Sequence, residues 1–161
     1  MGISSRAARY LVPMGKRTNS KLPWYHSGLQ FTCTQCGACC SGAPGYVWVN
    51  GDEIAAMAAS MSLDENAFRD KFVRRVGDRE SLIEYSDGDC IFLDPESRGC
   101  LVYAARPTQC RTWPFWESNV QSPSSWLKCG EVCPGAGTGK LYSLQQIDLA
   151  RRRSLDVDDE L

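Results

Sequence analysis

Four cysteines fall within eight residues, Cys33-Thr34-Gln35-Cys36-Gly37-Ala38-Cys39-Cys40. An isolated cysteine is readily buried as a small apolar side chain, but four so close together fit that role poorly. Two cysteines separated by two residues can turn both sulfurs toward one ion, with the thiolate as the ligand form. Gly37 suits the tight turn that such a knuckle needs. Five more cysteines follow at 90, 100, 110, 129 and 133. Cys90, Cys100 and Cys110 each stand at the edge of an expected element, and Cys133-Pro134-Gly135 lies in a loop. Thiols at loop edges can converge on one site without disturbing a core. Cys39 and Cys40 are neighbours, and in an extended segment their side chains diverge. Both would then hardly serve one mononuclear tetrahedral ion. The doublet points to two adjacent sites, to one polynuclear cluster, or to one spare thiol.

The rest of the composition narrows the chemistry. Nine cysteines stand against one histidine, His26, which argues against sites that need two imidazoles, the H-E-x-x-H zinc proteases among them. Zinc and iron–sulfur centres are both soft, thiolate-compatible fillings, and pure sulfur ligation does not separate them. Four thiolates around a divalent ion carry excess negative charge, which Arg106 and Arg111 on either side of Cys110 are placed to offset from a second shell. A net charge of −1 gives no bulk field for nucleic acid or membrane. The aromatic run Trp113, Phe115 and Trp116 is expected to pack over the cysteines rather than stack on bases. Gly135 to Lys140 lacks the first Gly and the final Ser or Thr of a phosphate loop, where Pro134 and Leu141 stand instead. No catalytic residue is identifiable from the sequence.

A chain of 161 residues is read as one domain. The expected divisions are a basic, flexible arm over 1–29, a cysteine-cluster domain over 30–154 and an acidic tail over 155–161. The arm holds Arg6, Arg9, Lys16, Arg17 and Lys21 without an acid. With no apolar run of export type and no span-length apolar stretch, a reducing cytoplasm is expected, where clustered thiols favour metal over disulfides. The fold class expected is a small α+β domain, with short strands, several short helices and long loops around a cysteine-rich metal site. Ile54, Met57, Ala58 and Met61 predict a helix. Ser62 and Glu65 predict a capping box for a second helix, and Ser143 and Gln146 one for a last helix to about Arg153. Tyr46–Val49, Leu82–Tyr85, Cys90–Leu93 and Cys100–Tyr103 read as strands, the middle two as a hairpin around Gly88. Pro107 predicts a helical turn through Arg111. Glu117 to Ser125 reads as a polar loop.

Five motifs carry a resemblance in this order: Cys33-x2-Cys36-Gly37-x-Cys39-Cys40, Cys90-Ile91-Phe92-Leu93, Cys100-Leu101-Val102-Tyr103, Arg106-Pro107-x2-Cys110-Arg111-x2-Pro114 and Cys133-Pro134-Gly135-x-Gly137. Over about residues 30–140 they resemble the YkgJ-type cysteine-cluster family, described as a zinc- or iron-chelating domain. The resemblance implies a metal site on Cys33, Cys36, Cys39, Cys40, Cys90, Cys100, Cys110 and Cys133, and leaves Cys129 as a free thiol. It implies a metal-binding protein with zinc or iron as cofactor, an iron–sulfur cluster included. The resemblance extends to flagellin lysine N-methylases, which implies as an alternative an iron–sulfur-dependent methyl transfer to a protein-lysine substrate. A further alternative, from the basic arm, is a metal-stabilised adaptor that binds an acidic partner or nucleic acid.

Overall fold

In the computed structural model, which describes residues 21–158, the first strand is β1 (Leu29–Phe31). Its Leu29 and Phe31 are buried and Gln30 is exposed, the two-residue period of a half-covered strand. The cysteine-rich loop follows and leads to β2 (Trp48–Val49) and α1 (Gly51–Ser60). Asn50 and Glu53 start α1 reciprocally. The Glu53 amide donates to the Asn50 side chain at 2.9 Å and the Asn50 amide to the Glu53 carboxylate at 3.2 Å. Ile54, Met57 and Ala58 form its buried stripe. Next comes α2 (Glu65–Phe72), which packs on α1 and buries Phe68. The Ser62–Glu65 capping box expected there is replaced by Asp64, whose carboxylate accepts from the Asn66 and Ala67 amides. Ser62 instead turns the chain at φ 56°.

A hairpin of β3 (Val73–Val76) and β4 (Arg79–Leu82) adds to β2 in the antiparallel order β2-β4-β3, with Trp48 opposite Ser81 and Val73 opposite Leu82. The strands expected at Cys90–Leu93 and Cys100–Tyr103 are not strands. Only the isolated bridges Glu84–Cys90 and Leu93–Cys100 form there. The reason is local. Asp94 accepts from the amides of Glu96 and Ser97, closing a turn directly after Leu93. Tyr103–Ala105 then coils into a 3₁₀ turn.

The second half is more helical than the sequence predicts. It comprises α3 (Thr108–Thr112), α4 (Glu117–Val120), α5 (Pro123–Val132), β5 (Lys140–Tyr142) and α6 (Leu144–Asp158). The polar stretch 117–125 is not a loop, because Ser122 accepts from the Ser125 amide at 3.1 Å and Pro123 takes the first position of α5. The expected Ser143–Gln146 box does form and opens α6, which runs on into the expected tail. β5 pairs antiparallel with β1, Leu29 opposite Tyr142 and Phe31 opposite Lys140.

These elements bury two apolar clusters, and together they make an α+β fold. One holds Leu29, Phe31, Phe115, Val120, Trp126 and Ile147. The other holds Ile54, Met57, Phe68, Leu82, Phe92 and Val102. Trp24 and Tyr25, within the expected arm, pack with the first cluster. The Trp24 indole N–H donates to the Val120 carbonyl at 2.7 Å, and the Tyr25 hydroxyl to Asp148 at 2.9 Å. The arm's residues 1–20 and the tail's 159–161 lie outside the described residues. Among the described residues no helix is long and apolar enough to cross a membrane.

Candidate metal centre

The Cys33–Cys40 segment is shaped by Gly37, which adopts φ +73°. A Cβ there would stand 2.6 Å from the Arg98 carbonyl oxygen and 2.7 Å from Leu93 Cδ1, so the knuckle presses against the turn that carries Cys100. Ala38–Cys40 then winds into a 3₁₀ turn, closed by the Cys40 amide donating to the Gly37 carbonyl at 2.9 Å. That turn overrides the divergence expected for neighbouring cysteines. The Cys39 and Cys40 Sγ atoms lie 3.9 Å apart. The Cys40 carbonyl accepts from the Cys90 amide at 2.8 Å. Arg98 ties the same two segments, donating to Asp89 at 2.8 Å and to the Ser41 hydroxyl.

All eight cysteines of the motif set line one cavity, of about 50 Å³ for the centre of a water molecule. Its other walls include Phe31 from one apolar cluster and Leu82, Phe92 and Val102 from the second. The cavity therefore lies at the seam between the clusters. Cys33 follows β1 and packs against the first cluster, where Cys133, at the C-terminal end of α5, is buried. Cys90 and Cys100 pack against the second, and α3 brings Cys110. Among the described residues no three Cys, His, Asp or Glu side chains converge as a finished metal shell. The sulfurs ring a space instead.

The other expected residues divide. Arg106 lines the cavity, its guanidinium 3.7 Å over the Tyr103 ring and its Nε donating to the Tyr103 carbonyl at 2.9 Å. Arg111 is not among the cavity's residues. Its guanidinium donates to the Thr108 hydroxyl at 3.1 Å on its own helix. His26 is exposed, its ring nitrogen 3.1 Å from the Pro23 carbonyl oxygen. Cys129 is buried in the first cluster, off the cavity. Trp113 covers the site as expected, its indole N–H donating to Cys133 Sγ at 3.5 Å. The sequence reading missed Tyr103, which lines the cavity with Cys33 and carries Arg106, and Arg98. The one signal for Tyr103 was its place between Cys100 and Arg106.

Residues 32–134 match the CxxCxxCC family, whose description is "Putative zinc- or iron-chelating domain". The chain belongs to that family. It is also 29% identical over 100 residues to the uncharacterized protein MJ0661 of Methanocaldococcus jannaschii, an alignment covering 62% of this chain and 53% of that protein. The chain thus spans about half the length of this curated relative. No solved structure gave a significant match.

The electrostatics of the CxxCxxCC site suit a cation. Burial, followed by the neighbouring Cys90, Cys39 and Cys100, pushes the Cys110 thiol up to about 12. Burial likewise raises Cys90 and Cys100. The sulfur–sulfur hydrogen bond holds Cys39 down at about 7 and raises Cys40. Thiols gathered in an apolar space resist ionising together, and a soft divalent cation reverses that balance by stabilising every thiolate at once. Arg106 opposes the rise that burial imposes on Cys100 and Cys110 and adds to the lowering of Cys39 that the Cys40 hydrogen bond dominates. The donor set is sulfur, with no imidazole among the cavity's residues, which fits zinc or iron–sulfur ligation.

Proposed function

We propose that this CxxCxxCC protein chelates zinc or an iron–sulfur centre through the thiolates of Cys33, Cys36, Cys39, Cys40, Cys90, Cys100, Cys110 and Cys133. One observation carries the reading: cysteines as far apart in sequence as Cys33 and Cys133 line a single cavity. Crowded, partly buried thiolates need a counter-cation, and a set drawn from separate loops has little other reason to meet. A bound metal would supply positive charge and a cross-link among loops. Arg106 offsets the remaining negative charge, and Trp113 and Phe92 wall the cavity while Cys36 and Cys39 stay exposed. Cysteines held as thiolates suit a reducing compartment such as the cytoplasm. No described residue favours methyl transfer to lysine over chelation. Of the basic residues on which the adaptor alternative rests, Arg6 to Arg17 lie outside the described residues.

Purification of the full chain without oxygen, followed by elemental analysis and a visible spectrum, tests the proposal. Zinc in a colourless protein, or iron with visible sulfur-to-iron absorbance, is expected. Cys110→Ser should lower the metal content, whereas Cys129→Ser should not. Protein that carries neither metal after growth and reconstitution with both would overturn the assignment.

A further inference from the structure

The eight cysteines are not equivalent. A second cavity, of about 230 Å³, lies on the far side of four of them. Cys39, Cys40, Cys90 and Cys110 line it as well as the first, with Tyr46 and Trp116 among its other walls. Cys33, Cys36, Cys100 and Cys133 line the first cavity alone. The four shared residues also belong together locally. The Cys40 carbonyl accepts from the Cys90 amide at 2.8 Å. The 3.9 Å between Cys39 and Cys40 Sγ is close to the edge of a tetrahedron of thiolates about 2.3 Å from a zinc ion, roughly 3.8 Å.

Charge and coordination number point the same way. Zinc in a structural site takes four ligands, so eight thiolates exceed one ion. Eight around a single divalent cation would also leave a formal charge of about −6, which Arg106 and Arg98 are too few to offset. Two ions divide the ligands without remainder and cut the formal charge at each centre to about a third.

We propose, resting on the chelation reading above, that the cysteines form two adjacent four-thiolate sets: Cys39, Cys40, Cys90 and Cys110 on the wall between the cavities, and Cys33, Cys36, Cys100 and Cys133 facing the first cavity only. The first set takes a zinc ion that ligands entering from the second cavity can reach. The second set takes one held at the seam of the apolar clusters.

The test is zinc stoichiometry of the full chain, reduced, stripped of metal and titrated with zinc alone under native mass spectrometry. Wild type is expected to saturate at about two ions per chain. Cys90→Ser combined with Cys110→Ser should hold one ion, and so should Cys33→Ser combined with Cys133→Ser. Saturation of wild type at one ion, or complete loss of zinc from a folded double variant, overturns the division and leaves chelation standing. Wild type that binds no zinc overturns the division, and overturns chelation as well where reconstitution with iron and sulfide also gives no bound metal. The wild-type titration involves no substitution, so a variant that fails to fold leaves the test decisive.

Discussion

Arg106 and Arg111 flank the same cysteine, yet the fold treats them oppositely. Arg106 is clamped by the Tyr103 ring and carbonyl and lines the sulfur cavity. Arg111 is exposed, bonded to Thr108 on the outer side of α3. A cation fixed beside ligating thiolates lowers the cost of holding them ionised, and loss of such an outer partner typically weakens metal binding about 10–100-fold. Arg106→Ala should therefore reduce zinc affinity on that scale, measured by competition with a chromophoric chelator. Arg111→Ala should leave the affinity unchanged. Equal effects from the two substitutions would show that Arg106 acts through general charge rather than through its place in the cavity. Arg106→Lys distinguishes further, since an ammonium keeps the charge but loses the planar stacking on Tyr103.

At the scale of elements, the turn from Asp94 to Gly99 sets the position of Cys100. Its hub is the Asp94 carboxylate, held below its ordinary pKa of 3.8 by the Ser97 amide first, then by the Ser97 hydroxyl and the Glu96 amide. These bonds favour the ionised carboxylate, so their contribution is complete above the ordinary value and disappears as pH falls through the depressed one. Melting temperature should therefore fall on acidification below about pH 4, and less steeply in Asp94→Asn, which has no charge to lose there. Parallel curves for the two proteins would remove Asp94 from the acid response. The turn itself was readable from Asp94-Pro95-Glu96-Ser97-Arg98-Gly99, but the strands on either side were not correctly readable. Cys90–Leu93 has strand-like residues because Phe92 and Leu93 are buried, yet it lacks the length for a ladder between two turns. The real hairpin of β3 and β4 went unseen because its Arg74, Arg75, Arg79 and Glu80 hide the apolar alternation. Those charges are accommodated by pairs such as Arg69–Glu80 and Arg74–Glu84, which only the assembled fold brings together. α1 and α6 were legible because a 3.6-residue stripe or a capping box is a local property. The cysteines that line the cavity were named through the motif resemblance, whereas Tyr103 and Arg98 stand there through contacts that spacing does not encode.

For the whole molecule, the decisive relation is between the cavity and the two apolar clusters. Each cluster has its own buried side chains, Phe31, Phe115 and Ile147 in one and Ile54, Phe68 and Phe92 in the other. Sulfurs reach the seam from both sides, Cys33 and Cys133 from the first and Cys90 and Cys100 from the second. α3 packing on α6 and the Trp113 cover also cross this region, so the halves do not depend on metal alone to meet. A metal bound at the seam still adds its binding free energy to the folded state, on the order of 10 kcal/mol in small zinc domains. Because that energy acts across the seam, its removal weakens the coupling between clusters more than either cluster itself. Calorimetry of the loaded protein should give one cooperative transition. The reduced, chelator-treated protein should melt at lower temperature and over a broader range or in two steps, as each cluster unfolds on its own. Hydrogen exchange should localise the change, with amides at Cys40 and Cys90 losing protection well before those within α1. An unaltered single transition after verified metal loss would mean that packing alone joins the clusters, and that the sulfur cavity serves ligand binding without serving stability.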